Sequence, residues 1–371
     1  MQILMVSSQK NWGGGELWML SAALGLNQRG HHITLVCQPG SCLAQRAQAQ
    51  RFAPLIMRLR GDFDPLVIAR FFRLIRQRRI QLVCGNMDKE VRLAGLAARL
   101  AGIPLIRRRG SDMPYPNKRR HRLIDRHLVR LIIVNSRATR NTLLRGNLWL
   151  SPEKLRLIYN GIPPGPEEEL VSREEVLAEF GLPEASPVLA IVGLLKDRKG
   201  HETLFRALPR VLAEFPKLSL LVVGEGPQRG WLEESARQLG IARSVLFTGF
   251  RDDVSRLMRA MDFLVLPSKN EGFGYVLAEA MSLGKAVVAT RVSSIPEVVQ
   301  EGQTGLLVSP GDEGALAEAI LELARHPERA RRMGLAGLER VRERFGLERM
   351  LDELEALFAE VIGRENSGPD P

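Results

Sequence analysis

The sequence predicts an α/β protein of two doubly wound, Rossmann-like domains, and three observations carry that reading. At 371 residues the chain is long for one domain and comfortable for two of about 150–180 residues each. Short apolar strands alternate with helical segments in both halves, as parallel βαβ units require. The charge balance changes sign at a stretch dense in turn formers, Tyr159-Asn160-Gly161-Ile162-Pro163-Pro164-Gly165-Pro166, where a domain boundary is expected.

In the first half, Ile3–Ser7 reads as a buried strand, followed by the turn Gly13-Gly14-Gly15 and a helix over Glu16–Arg29 that Gly30 caps. His32–Cys37 is the next strand. Leu66–Arg79 has apolar residues at helical spacing with arginines between them; Ile80–Cys84 is strand-like and Val91–Ala101 helical. Pro104–Ile106 and Leu131–Asn135 are short extended segments. The alternation restarts with strand Val188–Val192, a helix over Thr203–Phe215 and strand Leu218–Val223. After Gly224-Glu225-Gly226-Pro227 come a further helix, strands Val245–Thr248 and Phe263–Leu266, helix Tyr275–Ser282 and strand Ala286–Ala289. Ala315–Ile362 is helical with breaks near Pro327 and Gly346. The expected domains are therefore residues 1–165 and 166–345, then a C-terminal helix over 346–364 that returns to the first domain and a disordered tail over 365–371.

Composition narrows the function classes. No run of about 18 uncharged apolar residues is present, so no membrane span is expected, and Met1–Lys10 lacks the features of a secretory signal. Cys37, Cys42 and Cys84 are too few and too odd in number for a disulfide framework and read as small core residues of a cytoplasmic protein. The histidines show no metal-ligand spacing. Residues 1–165 hold 28 Lys and Arg against 8 Asp and Glu, whereas residues 166–371 hold 25 against 34. An asymmetry of that size predicts that the first domain meets something anionic: nucleic acid, a membrane surface or a phosphorylated acceptor. Nucleic acid is disfavoured by the absence of a reader motif and by only 5 % aromatic residues. Lys118-Arg119-Arg120-His121-Arg122 is either a solvated face or attracted to anionic lipid.

The chemistry concentrates in Glu271-Gly272-Phe273-Gly274-Tyr275-Val276-Leu277-Ala278-Glu279. A strand ends before it and a helix begins at about Gly274, so it lies at the carboxyl edge of an open sheet, where ligands bind. Gly272 and Gly274 let the backbone approach closely, and the free N–H groups of the first helical turn suit phosphate oxygens. One carboxylate precedes the helix and the other lies in its second turn, so the two can meet opposite ends of an elongated ligand.

From Pro267 to Val308 the chain resembles the donor-site signature of glycosyltransferase family 4, the large retaining GT-B family that includes glycolipid and lipopolysaccharide-core transferases. The residues that carry the likeness are Glu271 and Glu279, Ala280-Met281, Gly284, Val287-Val288-Ala289-Thr290, Ile295-Pro296-Glu297-Val298-Val299 and Gly305-Leu306-Leu307-Val308. The resemblance implies a GT-B fold, two Rossmann-like domains facing a cleft. It implies transfer of a sugar from a nucleotide diphosphate sugar to a hydroxyl of a glycan or glycolipid, lipopolysaccharide core among them, with no cofactor and no metal. Glu279 would bind the ribose hydroxyls, Glu271 would face the transferred sugar, and Lys199 would neutralise the departing diphosphate. Backbone groups of Gly272, Phe273, Gly274, Tyr275 and Val276 would contact sugar and diphosphate. Gly249, Phe250 and Arg251 would border the base, with Gly224 beside the same cleft. In the first domain, Gly14 and Gly15 would let a loop lie against the diphosphate, and Arg109 and Asp112 are the acceptor-side candidates. The protein would work in the cytoplasm, peripheral on the inner face of the membrane where that surface is anionic.

The sequence departs from the family at Leu194, where relatives carry an arginine that also holds the phosphates. Lys196 and Arg198 are the neighbouring cations. An epimerase of the same architecture and a non-catalytic sugar-nucleotide binder are the competing readings.

Overall fold

The computed structural model describes residues 1–114, 119–163, 172–182 and 186–366, and the chain divides into two compact units. The first comprises Met1–Gly161 and the segment from Leu347 onward; the second is Ile162–Gly346. The boundary expected at 165/166, Lys118 of the basic run, and the tail beyond residue 366 lie outside the described residues.

The first unit runs β1 (Gln2–Ser7), α1 (Gly14–Gln28), β2 (His32–Cys37), α2 (Cys42–Ala49), β3 (Leu55–Ile56), α3 (Pro65–Gln77), β4 (Leu82–Gly85), α4 (Asp88–Ala101), β5 (Leu105–Arg109), α5 (Arg119–Leu128), β6 (Leu131–Val134), α6 (Arg137–Gly146) and β7 (Leu155–Leu157). Its sheet has the order β3-β2-β1-β4-β5-β6-β7 and its pairings are parallel. Helices cover it, so Ile3–Val6 of β1 and Leu82–Cys84 of β4 are apolar and buried. Phe71, Leu74, Val91 and Ala94 of α3 and α4 pack with Leu4, Val6 and Val83 of the strands. Helix starts are set locally. Ser41 accepts from the N–H of Ala44, Asp64 from those of Leu66 and Val67, and Ser136 from that of Thr139.

The second unit contains α7 (Arg173–Glu179), β8 (Val188–Val192), α8 (His201–Glu214), β9 (Ser219–Val223), α9 (Arg229–Gln238), β10 (Val245–Gly249), α10 (Val254–Ala260), β11 (Phe263–Leu266), α11 (Tyr275–Ser282), β12 (Ala286–Thr290), α12 (Ile295–Val298), β13 (Gly305–Val308), α13 (Glu313–Arg325) and α14 (Pro327–Arg344). The sheet order is β10-β9-β8-β11-β12-β13, again parallel. The expected breaks near Pro327 and Gly346 separate three helices, the last being α15 (Leu347–Asn366). This helix belongs to the first unit. A Cβ on Gly25 of α1 would stand 2.4 Å from Leu351 Cδ1, so the two helices approach closely there. Arg29 reaches Glu348 and Asp352 at 2.6 and 2.7 Å, and His31 meets Glu355 at 2.8 Å. The helix also runs through Glu365 and Asn366, which correct the disordered tail expected over 365–371.

Another expectation fails at β5. The strand does not stop at Ile106 but continues to Arg109, so Arg107 and Arg108 are strand residues and are buried, 2 % and 4 % exposed. Burial of a guanidinium requires partners. Arg107 has them in Asp125, at 3.1 Å, and in Asp88.

Candidate functional site

In the second unit the strand order reverses between β8 and β11, and a doubly wound sheet opens a crevice at such a point, beyond the carboxyl ends of its strands. The loops that leave these two strands carry Lys199 and Glu271. After β8 the chain makes a tight turn over Asp197–Lys199 and enters α8 through Gly200, whose φ of 74° is left-handed. Two links tie the loops together: the N–H of Lys269 donates to the carbonyl of Arg198 at 2.8 Å, and Lys269 pairs with Asp197 at 2.7 Å.

Between them lies a nearly dry ion pair. The ammonium of Lys199 donates to Oε1 of Glu271 at 2.5 Å, and the residues are 9 % and 6 % exposed. Ser268 also donates to Oε1, at 2.9 Å, while the buried Ser294 holds the Glu271 carbonyl at 3.1 Å. Oε2 is approached by the half-exposed guanidinium of Arg198 at 3.9 Å. Glu271 is thus held by two serines and faced by a cation at each carboxylate oxygen.

Glu279 sits in the second turn of α11, partly buried. Burial pushes its carboxyl up to about 7, against the opposing pull of Lys199. That pull places the two groups in one field. The helix begins after Gly274, at φ 84°, and Phe273 turns its ring inward onto Phe345 and Tyr275, at 5.6 Å to each. Phe273 therefore anchors the loop by its side chain. Val276 is buried as well.

The remaining expected positions divide. Lys196 and Leu194 are exposed. A Cβ on Gly224 would fall 2.0 Å from the carbonyl oxygen of Gly193, so the loops after β8 and β9 touch backbone to backbone and only glycine fits. Gly249 has φ 74° and Phe250 is 58 % exposed. Arg251 is committed elsewhere: it bonds Asp253 at 2.6 Å and Glu179 at 3.1 Å and lies over Phe180. It does not join the Lys199 group.

In the first unit the corresponding reversal falls between β1 and β4. Gly14 and Gly15 form the first turn of α1 there, and Asn86, after β4, donates to the Gly15 carbonyl at 3.3 Å. Arg108 lies 4.9 Å over the Trp18 ring and donates to Asn160 at 2.9 Å. Arg109 is partly exposed and donates to the Met113 carbonyl; Asp112 is buried. The structure thus brings Arg108, rather than Arg109, to the glycine turn.

The comparisons with known proteins bear on the family and the fold. Residues 172–340 fit the family model described as glycosyl transferases group 1, and residues 12–165 fit that of glycosyltransferase family 4. The chain belongs to glycosyltransferase family 4. Among curated relatives, it is 33 % identical over 222 residues to the N-acetyl-alpha-D-glucosaminyl L-malate synthase of Bacillus anthracis, which is 59 % of this chain and 57 % of that one. It is 30 % identical to the D-inositol 3-phosphate glycosyltransferase of Corynebacterium glutamicum, over 72 % of this chain and 66 % of that one. The chain spans about half to two thirds of the length of the curated relatives it matches. Among solved structures, a glycosyltransferase from Rickettsia africae superposes with a TM-score of 0.85 at 20 % identity, covering 97 % of this chain and 98 % of the other. HepE of Anabaena, solved with UDP and glucose, gives 0.82 at 21 % identity, covering 97 % and 99 %. These likenesses establish the GT-B fold of this family 4 chain.

Two residues at the reversals, His201 and Glu90, are not among the sequence candidates. His201 follows Lys199 and Gly200, is 2 % exposed, and has no hydrogen-bond partner on either ring nitrogen among the described residues. Burial, helped by Lys199, drives its pKa down to about 4, so it is a neutral imidazole beside the cation. Its adjacency to Lys199 was the available signal. Glu90 is 1 % exposed and accepts from Ser8 N and Oγ at 2.6 and 2.9 Å and from Asn86 and Met87 N at 2.5 and 2.8 Å. It clamps the loops after β1 and β4 together. Nothing local marks it, since an acidic residue in a first helical turn is ordinary.

Proposed function

We propose that the chain is a retaining glycosyltransferase that moves a sugar from a nucleotide diphosphate sugar to a hydroxyl of a glycan or glycolipid acceptor, without a metal. The observation that carries the reading is the Lys199–Glu271 pair at the β8/β11 reversal, with Glu279 one helix further on. A departing nucleoside diphosphate gains negative charge, and a fixed ammonium in a poorly solvated site stabilises it more than in water. Glu271 faces the sugar, and backbone groups from Gly272 to Val276 hold sugar and diphosphate. Among the described residues Glu271 is the carboxylate paired with Lys199, and a carboxylate held by that ammonium is a poor nucleophile. Front-face attack follows, in which the leaving phosphate takes the proton of the incoming hydroxyl and the protein supplies orientation. HepE, solved with UDP-glucose at 97 % coverage of this chain, and relatives named for transfer to malate and inositol phosphate support a nucleotide-sugar donor and an acceptor rich in hydroxyl or anionic groups. The basic first half favours a phosphorylated glycolipid, lipopolysaccharide core among the candidates, met at an anionic membrane on its cytoplasmic side.

The test is a panel of UDP-, GDP- and ADP-sugars, scored for nucleoside diphosphate release with glycolipid extracts, in the presence of a chelator. The product's anomeric configuration is then read by NMR. Release from one donor that needs an acceptor, survives chelation and yields the retained anomer is expected. An epimerised sugar nucleotide, or donor binding with no release, would reject transfer.

The elevated pKa of Glu279 gives a second test. Ribose hydroxyls donate to a carboxylate and so favour its ionised form; binding below about pH 7 must first expel a proton. The affinity for an intact nucleotide sugar, whose diphosphate does not titrate here, should therefore rise about tenfold from pH 6 to pH 8. Calorimetry in two buffers should show proton release at pH 6, and Glu279→Gln should flatten the profile. A wild-type affinity independent of pH would remove Glu279 from the ribose site.

A further inference from the structure

One face of α3 and the loop before it are used by nothing described so far. The helix buries Val67, Phe71, Leu74 and Ile75. Its opposite side exposes Leu66, Arg70, Arg73 and Arg76 on successive turns, and Leu66 is 70 % exposed. Arg58 and Arg60 stand exposed just upstream, with Phe63 at 56 %. Phe72, on the flank of the helix, is 37 % exposed.

The charge on this face is uncompensated. Arg58, Arg60, Arg70, Arg73 and Arg76 form no ion pair among the described residues, whereas most exposed arginines of the second unit do. The two nearby acids are already engaged. Asp62 pairs with Arg92 at 2.8 Å, and Asp64 caps the helix by accepting from Leu66 and Val67. Like charges at i and i+3 repel on a helix, and α3 carries Arg70, Arg73 and Arg76 at that spacing with no intervening carboxylate. Such an array costs stability unless an anionic partner compensates it. Exposed Leu66 and Phe63 add an apolar component that phosphate attraction alone does not require.

We propose that the α3 face, Arg58, Arg60, Phe63, Leu66, Arg70, Arg73 and Arg76, docks on a bilayer of anionic phospholipid. This deepens the membrane component of the proposed function by assigning it to residues, and it rests on that reading only for its biological purpose. The arginines meet lipid phosphates, each strengthening binding about fivefold near the surface, and Leu66 and Phe63 enter the headgroup boundary. The segment Lys118–Arg122, singled out by sequence, is not needed.

The experiment is co-sedimentation of the whole chain with vesicles of phosphatidylcholine alone or with 30 mol% phosphatidylglycerol, without donor or acceptor, over a salt series. Binding to the anionic vesicles alone, weakened by salt, is expected. Arg70→Glu/Arg73→Glu/Arg76→Glu should weaken it at least 100-fold, and Leu66→Ser should remove the part that survives high salt. A control pair on exposed residues of α14, Arg331→Glu/Arg332→Glu, should bind as wild type. Thermal melting and nucleotide binding of each variant establish that it is folded. Equal binding to neutral vesicles, wild-type binding by the triple variant, or binding of a single-stranded oligonucleotide in place of vesicles would overturn the proposal. Because no turnover is read, failure here leaves the transferase reading standing, and loss of transfer leaves this one standing.

Discussion

Replacing Lys199 by methionine should lower turnover by about 10²–10³-fold, the usual cost of removing one fixed group that stabilises transition-state charge. The substitution keeps the length of the stem and deletes only the ammonium. It also strands Glu271, which is 6 % exposed, as a buried carboxylate left with Ser268 at 2.9 Å and Arg198 at 3.9 Å. Breaking a buried pair from one side costs about 3–5 kcal/mol, whereas removing both charges costs far less. Lys199→Met/Glu271→Gln should therefore regain most of the lost stability in a denaturant melt and regain no turnover. That separation distinguishes a catalytic pair from a structural one. Turnover of either variant within threefold of wild type would sink the assignment.

The same logic reaches Arg198. Its guanidinium is 3.9 Å from Glu271 and about half exposed, so solvent screens it more than Lys199. Arg198→Ala should cost about threefold, within the range of a partly screened charge contact. Leu194, 44 % exposed, has little packing to lose, so Leu194→Arg added to Arg198→Ala tests whether a second cation on this loop is interchangeable between the two positions.

How much of this was legible beforehand depends on whether the determinants were local. The second unit read well because its strands are short apolar runs, its turns carry glycines, and the Glu271–Glu279 segment follows β11 directly. Lys199 and Glu271 were singled out separately; that they form one ion pair depends on the strand order β8-β11, which no local pattern states. The first unit read less well for a related reason. Three consecutive arginines look like a surface loop, yet β5 carries Arg107 and Arg108 into the sheet because Asp88, Asp125, Trp18 and Asn160, from four other parts of the chain, receive them. Short pieces such as β3, two residues long, and α5, mostly charged, have too little periodicity to register. Glu90 and His201 are the sharpest omissions, since each looks like a solvent-exposed residue in the sequence and is buried in the fold.

Gly200→Ala is expected to be among the most damaging conservative substitutions in the second unit. Two separate penalties meet there. The residue has φ 74°, which costs an L-residue about 1–2 kcal/mol. A Cβ would also stand 1.9 Å from the carbonyl oxygen of Pro267. That neighbour is backbone at the end of β11, so relief requires moving a loop, and forced overpacking costs about 1–3 kcal/mol more. The matched control is Gly240→Ala, where φ is 71° and nothing lies within 4 Å of the new carbon; it should lose only the first penalty. The consequence for function follows from position. Gly200 joins Lys199 to α8, and Pro267 begins the loop that ends in Glu271 and Gly274, so separating the two backbones separates the ammonium from its carboxylate. A displacement of about 1 Å in a positioning group costs about 10²-fold in rate. Gly200→Ala should therefore lose both stability and turnover, while Gly240→Ala loses a little stability and keeps its rate. Equal melting of the two variants would show that the Gly200–Pro267 contact does not hold the site together.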